Sequence, residues 1–154
     1  MAHKEVDIRR LVDRDIDAVV TIEQEVFGAE AWSRELVAEE IASPWSFYCG
    51  AFVDEALVGY GGIKGDLEKD LMTLGVLSQC QGLGIGRQIL RTLVMEAAGA
   101  DIFLEVRASN TVAIALYSSF GFYPIGKIKD YYRQPREDAV SMKLSKDNDR
   151  LSKT

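Results

Sequence analysis

The 154-residue sequence predicts one mixed α/β domain, an α+β arrangement in which a sheet is packed against helices. Three observations carry that prediction. Stretches with strand character alternate with stretches of helical apolar spacing along the chain. Two apolar runs, Trp45 to Val53 and Ala56 to Ile63, flank the dipeptide Asp54-Glu55 as the arms of a hairpin flank its turn. A strand from Leu71 and the short apolar strand Asp101 to Val106 enclose a helix opening at Gly84, a strand–helix–strand unit. Residues 1–146 are expected to form this single domain and residues 147–154 a loose tail.

The elements follow in order. Residues 5–11 (EVDIRRL) read as a first strand. From Asp13 to Phe27, apolar residues fall at Ile16, Val19, Val20, Ile22 and Val26, a helical spacing with the acids on the outside. Ser33 is placed to N-cap a second helix, which ends near Ile41 ahead of Pro44. After the hairpin, KGDLEKD reads as a polar loop leading to a strand from Leu71 to about Leu77. The helix from Gly84 to Ala98 carries Ile85, Ile89, Leu90, Leu93 and Val94 on one side. DIFLEV is mostly apolar, as a strand covered on both faces should be. Asn110 caps a helix to about Phe120 with Gly121 as its stop. Strands at Phe122 to Lys129 and Asp138 to Leu144 complete the order.

Composition and charge remove several functions. With 47% hydrophobic and 27% charged residues, the chain has the means to bury a core. No apolar run approaches the ~18 residues that span a bilayer, and the first residues lack the apolar stretch of a secretory signal. A cytoplasmic protein without a membrane partner is expected. The formal net charge of −6 argues against binding nucleic acid through phosphate neutralisation. Residues 13–40 hold nine acids against two arginines, either a solvated helix face or a guide for a basic partner. The single histidine, His3, lies near the terminus, which rules out a multi-histidine metal site. Cys49 and Cys80 form no C-x-x-C pair and are expected to be reduced and mostly buried, with an acyl-cysteine at Cys80 the other reading. No metal is expected. An enzyme of this composition must work through carboxylates, tyrosines and backbone groups.

The densest chemical signal is QGLGIGR, Gln81 to Arg87, between a strand and a helix. Alternate glycines keep side chains away, so successive backbone N–H groups at a helix N-terminus can meet an anion, and Arg87 and Arg91 suit a phosphate-bearing ligand. A P-loop would end in Gly-Lys-Ser/Thr, whereas this loop ends Gly86-Arg87-Gln88. A dinucleotide fingerprint starting at Gly82 requires Gly or Ala where Arg87 stands. What the loop does resemble is Q/R-x-x-G-x-G/A, the pyrophosphate loop of the GNAT acetyltransferases, at Gln81, Gly84 and Gly86. That resemblance implies a mostly antiparallel central sheet, splayed at an acetyl-CoA cleft and flanked by helices. It implies acetyl-CoA as co-substrate, its pyrophosphate held by the N–H groups of Gly82, Leu83, Gly84, Ile85, Gly86 and Arg87. The backbone of Leu74, Gly75 and Val76 would take the pantetheine arm like an added strand, with one amide polarising the thioester carbonyl.

The second signal is LEVRASNTVAIALYSSFGF, Leu104 to Phe122. Glu105 interrupts an apolar strand, where a charge is costly unless used or paired. Burial there would raise its pKa and suit it to accept a proton, the alternative being a structural carboxylate paired with Arg107 or a backbone amide. Tyr117 lies seven residues beyond Asn110, so the two share a helix face. Its hydroxyl serves either the core or a proton-donating role.

LEVRASN-x(6)-LY-x-x-x-GF, the later DYYRQPREDAVSM, the early IEQ and Trp32-Ser33 together resemble the bacterial ribosomal-protein-alanine N-acetyltransferases of the RimI type, over most of residues 6–144. By position, the resemblance implies Glu105 as general base, Tyr117 as general acid and Asn110 as a cofactor contact. Trp32, Tyr131 and Tyr132 become the residues beside an incoming peptide. The acceptor it implies is a protein N-terminus, the N-terminal alanine of a small-subunit ribosomal protein. Two departures bear on peptide preference: a short helix after the glycine loop, and GAEAW at 28–32 where the family has an apolar-Pro-Trp turn. Lysine side chains or small amines are the rival acceptors, and a regulatory acyl-CoA-binding module is the rival class.

Overall fold

The computed structural model describes residues 5–146. His3 and the 147–154 tail lie outside the described residues. The chain forms β1 (Asp7–Arg10), α1 (Ile16–Phe27), α2 (Arg34–Ala42), β2 (Ser46–Val53), β3 (Ala56–Gly65), β4 (Glu68–Val76), α3 (Ile85–Glu96), β5 (Asp101–Arg107), α4 (Thr111–Ser119), β6 (Tyr123–Arg133) and β7 (Arg136–Leu144). Single 3-10 turns occupy Asp13–Asp15, Gly28–Glu30 and Ser78–Cys80. Two compact units divide these elements, one holding the chain up to Gly65 with Leu71–Glu96, the other Asp66–Asp70 with the chain from Ala97 onward. No helix of the described residues is long and apolar enough to cross a membrane.

In the first unit the strand order is β1-β2-β3-β4. β1 and β2 pair antiparallel from Asp7↔Phe52 to Arg10↔Cys49, and β2 and β3 from Ser46↔Lys64 to Val53↔Ala56. The expected hairpin turn holds Asp54 and Glu55 at φ 51° and 67°, the doubly left-handed geometry that matches strand twist. Ser33 caps α2 as expected, its hydroxyl accepting from the Leu36 N–H at 3.1 Å. Ile85, Ile89, Leu90 and Leu93 of α3 are buried. They reach the sheet at the glycines of β3, where a Cβ on Gly61 would stand 3.1 Å from both Ile89 and Leu93. A further core gathers Leu11, Val19, Ile22, Val37, Tyr48, Phe52 and Tyr60.

One glycine has a second use. Tyr48 pairs with Gly62 across β2 and β3 and lays its ring over it, so a Cβ there would fall 2.1 Å from ring carbons. The ring cannot swing away freely, because the Tyr48 hydroxyl donates to Glu40 Oε1 at 2.6 Å. Gly62→Ala is therefore expected to cost about 1–3 kcal/mol of stability, the range of overpacked cores. Thermal unfolding checks it, as a fall of several degrees in Tm.

In the second unit the order is β4-β5-β7-β6. β4 and β5 pair in parallel at Glu68↔Asp101, Lys69↔Ile102 and Asp70↔Phe103, as the strand–helix–strand reading requires. β5 and β7 run antiparallel from Ile102↔Leu144 to Arg107↔Ala139, and β7 carries β6 on its other side. Asn110 caps α4, its Oδ1 accepting from the Ala113 N–H at 3.1 Å, and Gly121 ends the segment at φ 102°.

Three expectations need correction. β4 begins at Glu68, inside the stretch read as a polar loop, because backbone pairing to β5 is indifferent to the charges on Glu68, Lys69 and Asp70. β6 runs on to Arg133 and β7 starts at Arg136, so DYYR belongs to a strand. Nearly all of β6 is exposed, which removes the alternation that marks a half-buried strand, and its register slips between Ile128 and Tyr132. The acids of residues 13–40 are not all outside: Asp15, Glu23 and Glu40 are buried and hydrogen-bonded.

Candidate active site

In the first unit, the chain leaves β4 with the Leu77 N–H donating to Val58 O at 2.9 Å, makes the turn Ser78–Cys80, and enters the glycine loop. The Gln81 side chain reaches back, its Nε2 donating to Val76 O at 3.1 Å, which ties the loop to the strand end. Gly82 and Gly84 stand at φ 82° and 79°, and a Cβ on either would meet nothing, so the glycines serve backbone direction and not packing. Gly84 O accepts from the Gln88 N–H at 3.1 Å and opens α3. The N–H groups of Ile85 and Gly86 therefore come before Gln88, the first donor of the helix, at its N-terminus. Amides at a helix N-terminus favour an anion. Leu83 is exposed at the loop tip.

Gly75 is buried, with a Cβ excluded to 3.2 Å from the Phe27 ring. The parallel register of β4 ends at Asp70↔Phe103, so Leu74, Gly75 and Val76 lie beyond it. Trp32 is half-buried; its N–H donates to Glu23 Oε1 at 2.8 Å and its ring meets Tyr48 edge-on at 6.4 Å.

In the second unit, Glu105 stands on β5 between buried Leu104 and Val106, and its own side chain is exposed, contrary to the expected burial. Strand alternation explains this: the apolar neighbours face the core and Glu105 faces the opposite side. Its carboxyl pKa is nonetheless raised, by partial desolvation first and by the Asp70 carboxylate second. Among the described residues no hydrogen bond or ion pair reaches it. Arg107, the alternative partner, is engaged elsewhere: it pairs with Glu137 at 3.3 Å, donates to Pro135 O at 2.9 Å and Gln134 O at 3.3 Å, and lies 4.2 Å over the Tyr132 ring. Glu137 in turn accepts from the Ser109 N–H at 2.6 Å.

Tyr117 is buried, its ring 5.7 Å from Phe122, and burial followed by the field of Tyr132 pushes its hydroxyl pKa up. Tyr131 and Tyr132 meet edge-to-face at 5.0 Å. The hydroxyl of Tyr131, which is exposed, is also raised, by desolvation and then by Glu105. Within this unit Glu105 thus acts on Tyr131 and Tyr132 on Tyr117, and the ring contact of the two adjacent tyrosines joins the pairs. Asn110 spends its Oδ1 on the α4 cap, leaving the amide NH2 as its outward donor. Asp70 is the member that sequence reasoning misses, since it falls in a stretch read as loop; its place opposite Phe103 had no sequence signal. Cys49 is buried as expected and its thiol is pushed up to about 12, by burial and then by Glu96, while Cys80 is only half-buried; both are free thiols. Among the described residues no three His, Cys, Asp or Glu side chains gather as a metal site.

The family model for the Acetyltransferase (GNAT) family matches residues 16–122, from the start of α1 past the end of α4. The chain belongs to this family. The N-alpha-acetyltransferase RimI of Mycobacterium tuberculosis is 38% identical to the acetyltransferase over 144 residues, covering 90% of this chain and 91% of that protein. The crystal structure of the ribosomal-protein-S18-alanine N-acetyltransferase from Escherichia coli superposes with a TM-score of 0.84 at 32% identity, covering 91% of this chain and 93% of that one. Arabidopsis thaliana Naa50, solved with the bisubstrate analogue CoA-Ac-MVNAL, shares the fold at a TM-score of 0.79 and 24% identity, covering 91% and 98%. The mixed sheet flanked by helices, expected of a GNAT acetyltransferase, is thus the one this acetyltransferase has.

Proposed function

We propose that this acetyltransferase moves an acetyl group from acetyl-CoA to the α-amine of a protein N-terminus, its physiological acceptor being the N-terminal alanine of a small-subunit ribosomal protein. The observation that carries the reading is a partly desolvated Glu105, without a partner among the described residues and with Tyr131 in its field, in a chain matched over 90% of its length by an N-alpha-acetyltransferase. The name of the S18-alanine relative supplies the ribosomal acceptor, and that of the N-alpha-acetyltransferase relative the α-amine.

In this mechanism the N–H groups of Gly82 to Arg87 hold the pyrophosphate, aided by Gln81 and the Asn110 amide, and the backbone of Leu74 to Val76 takes the pantetheine arm. Trp32, Tyr131 and Tyr132 flank the peptide. Glu105, directly or through a water, removes a proton from the ammonium; its raised pKa makes it a better acceptor than an ordinary carboxylate. The amine attacks the thioester carbonyl, the carbon–sulfur bond breaks, and Tyr117, kept protonated by its raised pKa, donates to the leaving thiolate; the proton shed by the new amide nitrogen, passed through solvent, restores the tyrosine.

Mass analysis after incubation with acetyl-CoA and three acceptors tests this. The acceptors are an alanine-first basic peptide, the same peptide with a blocked N-terminus and internal lysines, and spermidine. One acetyl on the free peptide alone is expected. Acetylation of the blocked peptide or of spermidine would replace the proposal with the other amine class. Binding of acetyl-CoA with no release of free thiol would replace it with a binding module.

A further inference from the structure

We infer that Glu23 is a positioning residue for the acceptor: its buried carboxylate latches the turn between α1 and α2, with Trp32 on it, to β3. The inference rests on the proposed place of Trp32 beside the peptide.

A carboxylate on the inner face of an apolar helix is costly unless its oxygens are used, and a leucine would serve packing better. Glu23 is 1% exposed and uses both oxygens, on two different parts of the unit. Oε1 accepts the Trp32 main-chain N–H at 2.8 Å, nine residues along the chain. Oε2 accepts the hydroxyl of Tyr60, a residue of β3 that is itself 1% exposed. The turn so held is a single 3-10 turn at Gly28–Glu30 whose three residues are all exposed, and it contributes little packing of its own. Beneath it, the Trp32 ring meets Tyr48, and Tyr48 stacks on Tyr60 at 6.3 Å. Glu23 therefore holds Trp32 directly through its main-chain N–H, and touches the stack under the ring only at its far member, Tyr60.

Glu40 provides a control of the same chemistry. It is buried on α2, accepts the Tyr48 hydroxyl at 2.6 Å and pairs with Lys64 at 2.6 Å, and it makes no bond to the turn.

Steady-state kinetics on Glu23→Leu, Glu23→Gln and Glu40→Gln test the latch, with whichever panel acceptor the wild type modifies. Glu23→Leu is expected to raise the acceptor KM about tenfold, the scale of one charge-assisted hydrogen bond, with the acetyl-CoA KM unchanged. Glu23→Gln can still accept from Trp32 and donate to Tyr60, so it should restore most of that loss. Glu40→Gln should lower thermal stability without moving the acceptor KM. An unchanged acceptor KM in Glu23→Leu, an equal rise in both KM values, or the same rise in Glu40→Gln would overturn the inference. If Glu23→Leu does not fold, Tyr60→Phe takes its place: a severalfold rise in acceptor KM alone is expected, and no rise overturns it. Hydrogen exchange at the Trp32 amide gives a readout independent of the acceptor's identity. It should quicken in Glu23→Leu and not in Glu40→Gln; unchanged protection would overturn the latch even if N-terminal transfer stands. A wild type that modifies only spermidine or lysine would sink the N-terminal reading and leave the latch to these same two readouts.

Discussion

Glu105→Gln is expected to lower kcat about 10²–10³-fold while leaving acetyl-CoA affinity within twofold, because general-base catalysis supplies rate and not cofactor binding. The substitution is nearly isosteric and the side chain is exposed with no partner among the described residues, so fold stability should hardly move. The pH profile gives an independent check. A carboxylate works as a base only when ionised, so activity falls as pH drops through its pKa. Desolvation and Asp70 raise that pKa, which moves the acid limb upward from that of an ordinary glutamate. Asp70→Asn removes the like charge and should shift the limb to lower pH. A Glu105→Gln enzyme that loses turnover and acetyl-CoA binding equally, or an acid limb that ignores Asp70→Asn, would remove Glu105 from the base role.

Gly84→Val is expected to raise the acetyl-CoA KM by tenfold or more with kcat at saturation little changed. At φ 79°, an L-residue costs about 1–2 kcal/mol in this region, more when β-branched. The surrounding space is open, so the strain is relieved by rotating the local peptides and not by unfolding the core. That rotation turns the N–H groups of the loop away from the proposed pyrophosphate position. Isothermal titration with acetyl-CoA checks it. Unaltered affinity would show that the loop amides do not carry the pyrophosphate.

The parts of this molecule that the sequence made legible are those whose physics is local. Ser33 and Asn110 were readable as caps because a short polar side chain before an apolar-periodic run has one good use, and both side chains do accept the N–H three residues on. The glycine loop was readable because alternate glycines between strand and helix seldom serve packing. The misreadings have a common origin in long-range pairing. Glu68 to Asp70 look like loop until β5 is beside them, and Asp130 to Arg133 look like loop because an exposed strand leaves no alternation. Glu23 looked like surface because its partners, Trp32 and Tyr60, are set by the tertiary fold. Glu105 stood out because a charge interrupts an apolar strand; its side chain is exposed, yet partial desolvation does raise its pKa, with Asp70 adding to it.

The guanidinium of Arg107 grips the main-chain carbonyls of Gln134 and Pro135. A grip on main-chain atoms is blind to what the turn spells. Residues at the tip of the β6–β7 hairpin can therefore be exchanged while Tyr131 and Tyr132 keep their stations, and under the proposed placement of these tyrosines beside the peptide the hairpin becomes a cassette for redirecting the enzyme to a new acceptor. Arg107 is the fixture on which the cassette is mounted, and a library built there should vary positions 133, 134 and 136 and leave the arginine alone.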